Sequence, residues 1–290
     1  MTEGEEQVTQ CIVDSHVHFW DPVARHHDWL AEVPSLNRRF GPEDYDPSQR
    51  ALRGLVFVQA DCRDEEALAE ASWVARLAAS SPSIGGIVAY APVHLGVAVE
   101  PHLDMLADEP LVVGVRRLLQ DGPLEDITDQ RLIAGVRLLA ERNLRFDVCI
   151  RHAQLPAATE LVAACPDTTF VLDHLGKPPV AGGGLDPWRA HLKRLASYPN
   201  VACKLSGLST EAAPGWRDAD VLPYLEHALE VFGPRRCMIG SDWPVATLRT
   251  TVARWFDIVV GLTETLSAED QTAVLGGTAE SIYGLALTEL

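Results

Sequence analysis

Several signatures are missing from this chain, and each absence removes a class of protein. None of its six cysteines forms a C-x-x-C pair, and Cys149 sits in the apolar run Asp147-Val148-Cys149-Ile150. They read as small buried hydrophobes rather than as metal clips or a disulfide framework, so a reducing, cytoplasmic setting is expected. No apolar run approaches the ~20 residues that cross a bilayer. The N-terminal Met1-Thr2-Glu3-Gly4-Glu5-Glu6 lacks the basic-then-apolar order of a secretory leader. Basic residues are few, 24 against 41 acidic ones, for a formal charge of −17. Such a surface repels nucleic acid and anionic membranes, leaving a small molecule as the expected partner; assembly into a homo-oligomer is compatible with it. No G-x-G-x-x-G follows the first strand-like run, which argues against an open dinucleotide-binding sheet. Gly182-Gly183-Gly184 follows Lys177-Pro178-Pro179 and reads as a loop, not a phosphate cradle.

What the chain does have is length and alternation. At 290 residues with 47% hydrophobic composition, it can bury one large core. Eight short β-rich runs recur: Gln10–Asp14, Gly54–Gln59, Ile84–Tyr90, Leu111–Arg116, Arg145–Ile150, Thr169–Asp173, Val201–Lys204 and Cys237–Gly240. They are almost continuously apolar, as expected when both faces are covered. Helical spacing fills the intervals, for example Glu65–Ala79, with Asp64 as its cap, and Thr128–Glu141, ending near Asn143. Strand–helix alternation implies a parallel sheet with right-handed crossovers. Over this length the prediction is an α/β fold, a single (β/α)8 TIM barrel spanning residues 1–290, with residues 1–9 a flexible tail. Residues 19–47 show little periodicity and are expected to loop over the barrel mouth, with His26 and His27 facing solvent.

In such barrels the reacting groups come from the C-terminal ends of the strands. Six of the eight runs deliver an ionisable residue there: His16 and His18, Arg116 and Arg117, Arg151 and His152, Asp173 and His174, Lys204, and Asp242. Burying unpaired charges is costly, so a purely structural core would not collect them at one end. His16-x-His18 puts two imidazoles on one side of an extended backbone, able to hold one metal ion or one oxyanion; two surface histidines are the plainer alternative. First and last strands adjoin in a closed barrel, so Asp242 should converge on that pair and serve as a base on water or complete a metal site. Otherwise it merely caps the next helix. His174 is read as polarising a substrate carbonyl, or as a satisfied core histidine. Lys204 is a substrate contact or a snorkelling lysine. Arg116 and Arg117 point oppositely, and the phase after Val115 favours Arg116 for the mouth, where it suits a carboxylate or hydroxyl-rich substrate.

These residues resemble a known family. His16-x-His18, Leu172-Asp173-His174-Leu175-Gly176-Lys177-Pro178, Cys203-Lys204-Leu205-Ser206-Gly207 and Gly240-Ser241-Asp242-Trp243-Pro244 are similar to the sugar-lactonase branch of the amidohydrolase superfamily. That branch includes L-fucono- and L-rhamnono-lactonases and 2-pyrone-4,6-dicarboxylate lactonases. Phe19-Trp20-Asp21-Pro22, Val113-Gly114-Val115-Arg116 and Gln154-Leu155-Pro156 extend the likeness, which runs almost from Cys11 to Leu285. The resemblance implies a carbohydrate-catabolic hydrolase that opens the ester of an aldonolactone. The alternatives are hydrolysis of a dicarboxylate lactone and a metal-dependent decarboxylation. It implies Asp242 as general base, with His16, His18 and His174 holding the carbonyl oxygen directly or through a metal. Arg116, Lys204, Gln154, Trp20 and Trp243 are implied as substrate contacts. One divalent ion, zinc foremost, would sit on His16, His18, Asp242 and His152; metal-free catalysis is also chemically open. Arg116-Arg117 occupies the region where other members bridge two metals, which argues against a binuclear site. His152 stands where relatives often carry proline, and Arg117 where those nearest the fuconolactonases often read histidine.

Overall fold

The computed structural model describes residues 11–47, 50–81 and 83–287. The tail expected over residues 1–9 lies outside them. Eight parallel strands run in chain order around one sheet: β1 Ile12–Val17, β2 Leu52–Val58, β3 Ile84–Tyr90, β4 Val112–Leu118, β5 Arg145–Cys149, β6 Phe170–Leu172, β7 Val201–Leu205 and β8 Cys237–Ile239. The circle closes between last and first strands. Val17 bridges to Trp243, His18 donates its N–H to Trp243 O at 2.8 Å, and Asp242 donates to His16 O at 2.9 Å. This is the expected (β/α)8 barrel.

Each strand is buried on both faces because helices cover the outside. The helix Gln130–Glu141 shows the logic. Asp129 caps it by accepting from Arg131 N, and Leu132, Ile133, Val136 and Leu139 form the buried stripe at helical spacing. The interval from Glu65 begins differently from expectation. A 3-10 turn at Asp64–Glu66 precedes the helix Ala67–Ala78, and the Asp64 carboxylate accepts from Tyr90 Oη instead of capping. Residues 19–47 are a loop with three 3-10 turns. His26 is exposed as expected, but His27 is buried, its Nε2 3.8 Å from the buried Glu70.

The barrel interior is layered. At the bottom, Val13, Val56, Val58, Val88, Val171, Ala202 and Met238 pack against Ala279 and Tyr283 of the C-terminal helix Thr278–Tyr283. That helix plugs the barrel, and Leu285 and Leu287 seal the glycines Gly54, Gly85 and Gly86 at the starts of β2 and β3. Tyr283 Oη reaches upward to Asp147 Oδ2 at 2.8 Å. Above the apolar layer lies a charged one: Asp147, Lys204, Asp173 and Arg116, all buried. Cys62, Cys149, Cys165, Cys203 and Cys237 are buried free thiols. Among the described residues no helix is long and apolar enough to cross a membrane.

Candidate active site

The top layer begins with an irregularity in β1. Strict alternation from the inward Val13 would point His16 outward, into the helix shell. Asp14 pairs with Leu55 but Val17 with Phe57, so three residues of β1 oppose two of β2. This bulge turns His16 and His18 into the barrel, a re-aiming that bulges commonly perform beside active sites. His18 Nδ1 donates to Val58 O at 2.7 Å, which leaves its Nε2 with a free lone pair.

His174 and Asp242 arrive through backbone strain. His174, Leu175 and Lys177 all have φ near +50°, and Asp242 has φ +61°. Non-glycine residues rarely adopt this region, and such strain concentrates at functional sites. Gly207, itself at φ +71°, is required by close approach: a Cβ there would lie 2.4 Å from His174 Nδ1. That nitrogen is 2.8 Å from Ser206 Oγ.

The result is a tight cluster. His16 Nε2 and His18 Nε2 are 3.2 Å apart, and Asp242 Oδ1 lies 3.4 Å from His18, 3.7 Å from His16 and 3.9 Å from His174. His16, His18 and Asp242 offer ligand atoms all within 4.8 Å of one another, as do His16, Asp173 and His174. Two imidazoles and a carboxylate form a donor set suited to a divalent ion such as zinc. The hydrogen bond fixing His18 is the outer support such a ligand needs.

Beneath this cluster, Asp173 Oδ1 sits 3.3 Å from His16 Nδ1 and 3.1 Å from Lys204 Nζ, while Oδ2 accepts from Arg116 Nη1 at 3.1 Å. Lys204 also pairs with Asp147 and stands 3.2 Å from His16 Nδ1. Two carboxylates thus balance two cations in the dry interior. Electrostatics follow from this packing. Burial, reinforced by Lys204, pushes the His16 imidazolium well below its ordinary range, and burial lowers His174 to about 4. Burial works to raise the Asp242 carboxyl, but His174, His18 and His16 outweigh it and hold it well below the usual range. At neutral pH the cluster therefore presents an ionised carboxylate facing neutral His16 and His174.

A cavity of about 270 Å³ opens above these groups. His18, His174 and Asp242 line it, with Arg116, Trp20, Trp29, Asp61, Gln120, Asp121, Lys177 and Thr210. Of the residues expected from sequence, His16, His18, His174 and Asp242 come together, and Arg116 and Trp20 reach the cavity. Arg117 turns away to Tyr90 Oη, as the strand phase implies.

Four expectations need correction. Lys204 does not reach the cavity; it is fully buried one layer lower. Gln154 clasps backbone, accepting from Arg151 N and donating to Leu119 O and Gly122 O. Trp243 packs edge-on against Phe40 and Tyr45, away from the cavity lining. His152 lies in a 3-10 turn beyond the end of β5 and joins neither ligand group; the inward phase of that strand runs through Asp147 and Cys149, and Cys149 is the β5 residue that lines the cavity. Sequence reasoning misses Asp147 and takes Asp173 only as an ionisable strand end, not as a support beneath His16. The signal for Asp147 was present: a lone carboxylate inside the apolar run Arg145–Cys149.

Comparison with known proteins fits this geometry. Residues 13–285 match the family described as Amidohydrolase. An L-fucono-1,5-lactonase of Burkholderia multivorans is 34% identical over 294 residues, covering 94% of this chain and 96% of that protein. A 2-pyrone-4,6-dicarboxylate hydrolase of Comamonas testosteroni is 30% identical over 82% of this chain and 78% of its own. The crystal structure of a Burkholderia multivorans amidohydrolase with bound zinc superimposes with a TM-score of 0.84 at 33% identity, covering 95% of this chain and 99% of that one.

Proposed function

The chain belongs to the amidohydrolase family, and from that premise we propose that it hydrolyses the ring ester of a sugar-acid lactone with Asp242 as its general base. The observation that carries this reading is the convergence of three imidazoles on Asp242 Oδ1 under a cavity at the strand ends. Similarity to the L-fucono-1,5-lactonase over nearly the whole of both chains supports the substrate class.

The ionised Asp242 takes one proton from the attacking water as oxygen adds to the lactone carbonyl. If the Ser206 hydroxyl donates to His174 Nδ1, His174 Nε2 carries the proton and donates to the developing oxyanion. Collapse of the tetrahedral adduct breaks the ring C–O bond. Asp242 returns its proton to the departing alkoxide, so one water is consumed and one hydroxy acid leaves. His16, His18 and Asp242 are the residues that would hold a divalent ion. When bound, such an ion polarises the carbonyl and acidifies water. Lys204, Arg116 and Asp173 act through His16 by fixing its ring. The buried free thiols are consistent with a reducing, cytoplasmic setting.

The test is acid release at neutral pH from a panel of five- and six-membered sugar lactones, run with wild type and Asp242→Asn. Turnover of at least one lactone by wild type, lost in the variant, is expected. A wild-type protein inert toward the whole panel, with and without added zinc, would refute the reading.

A further inference from the structure

We propose that Asp61 is a specificity-determining residue that reads adjacent hydroxyl groups on the lactone ring, making the site selective for uncharged, polyhydroxylated lactones. The inference rests on the lactonase reading and narrows it.

Asp61 follows β2 and has φ +56°, a conformation that aspartate tolerates better than most residues but still at a cost. Its backbone N–H is held by Gln59 Oε1 at 2.6 Å, and the Gln59 carbonyl in turn accepts from Arg116 Nη2 at 2.6 Å. The strained turn is thus tied to the floor of the cavity, and Asp61, an exposed residue, stands at the cavity's edge. Among the described residues no hydrogen bond or ion pair reaches that carboxylate. Its neighbours in the wall are already engaged. Asp121 pairs with Arg151 at 2.9 Å, Arg116 is committed to Asp173 and Gln59, and Lys177 bonds Gln120.

Each cation in the wall faces a carboxylate, Arg116 on Asp173 at 3.1 Å and Lys177 on Glu211 at 3.9 Å, whereas the Asp61 carboxylate has no such partner among the described residues. A carboxylate-bearing lactone would meet like charge. A pair of ring hydroxyls would instead donate to the two Asp61 oxygens in short charge-assisted bonds. The aromatic wall fits the same guest. Trp20 and Trp29 stand edge to face at 5.2 Å, and both indole N–H groups are consumed by backbone carbonyls of Leu36 and Ala60. Trp20 is fully buried, so the half-buried Trp29 ring is the apolar surface left to meet the C–H face of a sugar ring. A site built to bond hydroxyls rejects analogues that lack them far more strongly than an apolar pocket rejects an extra group.

The experiment compares kcat/KM for a hydroxylated six-membered lactone and for unsubstituted δ-valerolactone, in wild type, Asp61→Asn and Asp61→Gly. Glycine suits the positive φ, and asparagine keeps both the backbone and one acceptor. Asp61→Gly should shrink the preference for the hydroxylated ring by about 10- to 100-fold, and Asp61→Asn by less. An unchanged preference in both variants, or an equal loss on both substrates, overturns the role of Asp61 and leaves the lactonase reading standing. If wild type opens neither ring nor any other lactone of the panel, that reading falls instead. Calorimetric binding of an uncharged polyhydroxylated lactam then decides Asp61 alone: weaker binding by Asp61→Gly supports it, while equal or absent binding in wild type and variant overturns it.

Discussion

Replacing Lys204 by methionine tests whether the charged layer under the histidines is structural. Lys204 is fully buried and bridges Asp147 and Asp173 while abutting His16. Methionine keeps the length and apolar stem but leaves two buried carboxylates sharing the single guanidinium of Arg116. Breaking one side of a buried ion pair costs about 3–5 kcal/mol. A chain of 290 residues has an unfolding entropy of about 0.6 kcal/mol per kelvin, so calorimetry should show Tm lower by about 5–8 °C. Adding Asp147→Asn should restore part of that loss, because one surplus charge disappears while an acceptor for Tyr283 Oη remains. KM for substrate should move little in the folded enzyme, since Lys204 does not line the cavity. A Tm unchanged within about a degree would refute the structural role, and a KM raised about tenfold at normal Tm would show that the lysine meets substrate after all.

Three further outcomes are expected. Asp242→Asn should fold with wild-type circular dichroism yet lose at least about 10²-fold in kcat; near-normal turnover would remove Asp242 as the base. Zinc titrated into demetallated protein by calorimetry should bind His152→Ala as it binds wild type, and bind His18→Ala at least about tenfold more weakly; the opposite pattern would put His152 in the ligand set. The third concerns pH. Burial lowers His174 from 6.5 to about 4, so the unfolded chain binds its proton first as pH falls. The stability this neutral imidazole contributes is present above pH 6.5 and is lost on descending to 4. Measured against His174→Gln in chelator, wild type should lose about 3 kcal/mol across that window, and parallel curves would contradict the shift.

Much of the barrel was legible because its signals are local. β3 was bounded correctly from its apolar run, and the HxH pair and Asp242 were placed by strand order alone. Height within the barrel was not legible. Lys204 and Arg116 both close apolar strands, yet one is sealed below the histidines and the other reaches the cavity. That difference comes from the stagger between strands, which no single strand encodes. The β1 bulge was hidden for the same reason: it exists only in the pairing with β2. Asp61 and the left-handed run from His174 to Lys177 escaped because positive φ at non-glycine residues is imposed by tertiary contacts.

The C-terminal plug carries a consequence for synthesis. Tyr283 is the anchor that links the barrel floor, through Asp147 and Lys204, to His16. It leaves the ribosome after every strand has been made, and Asp242 itself precedes it by some forty residues. A nascent chain that has made its strands therefore still lacks the anchor of its reaction centre until the helix Thr278–Tyr283 has followed. Stalling or nicking near residue 280 should yield inactive protein whose lesion lies at the opposite end of the barrel from the chemistry it abolishes.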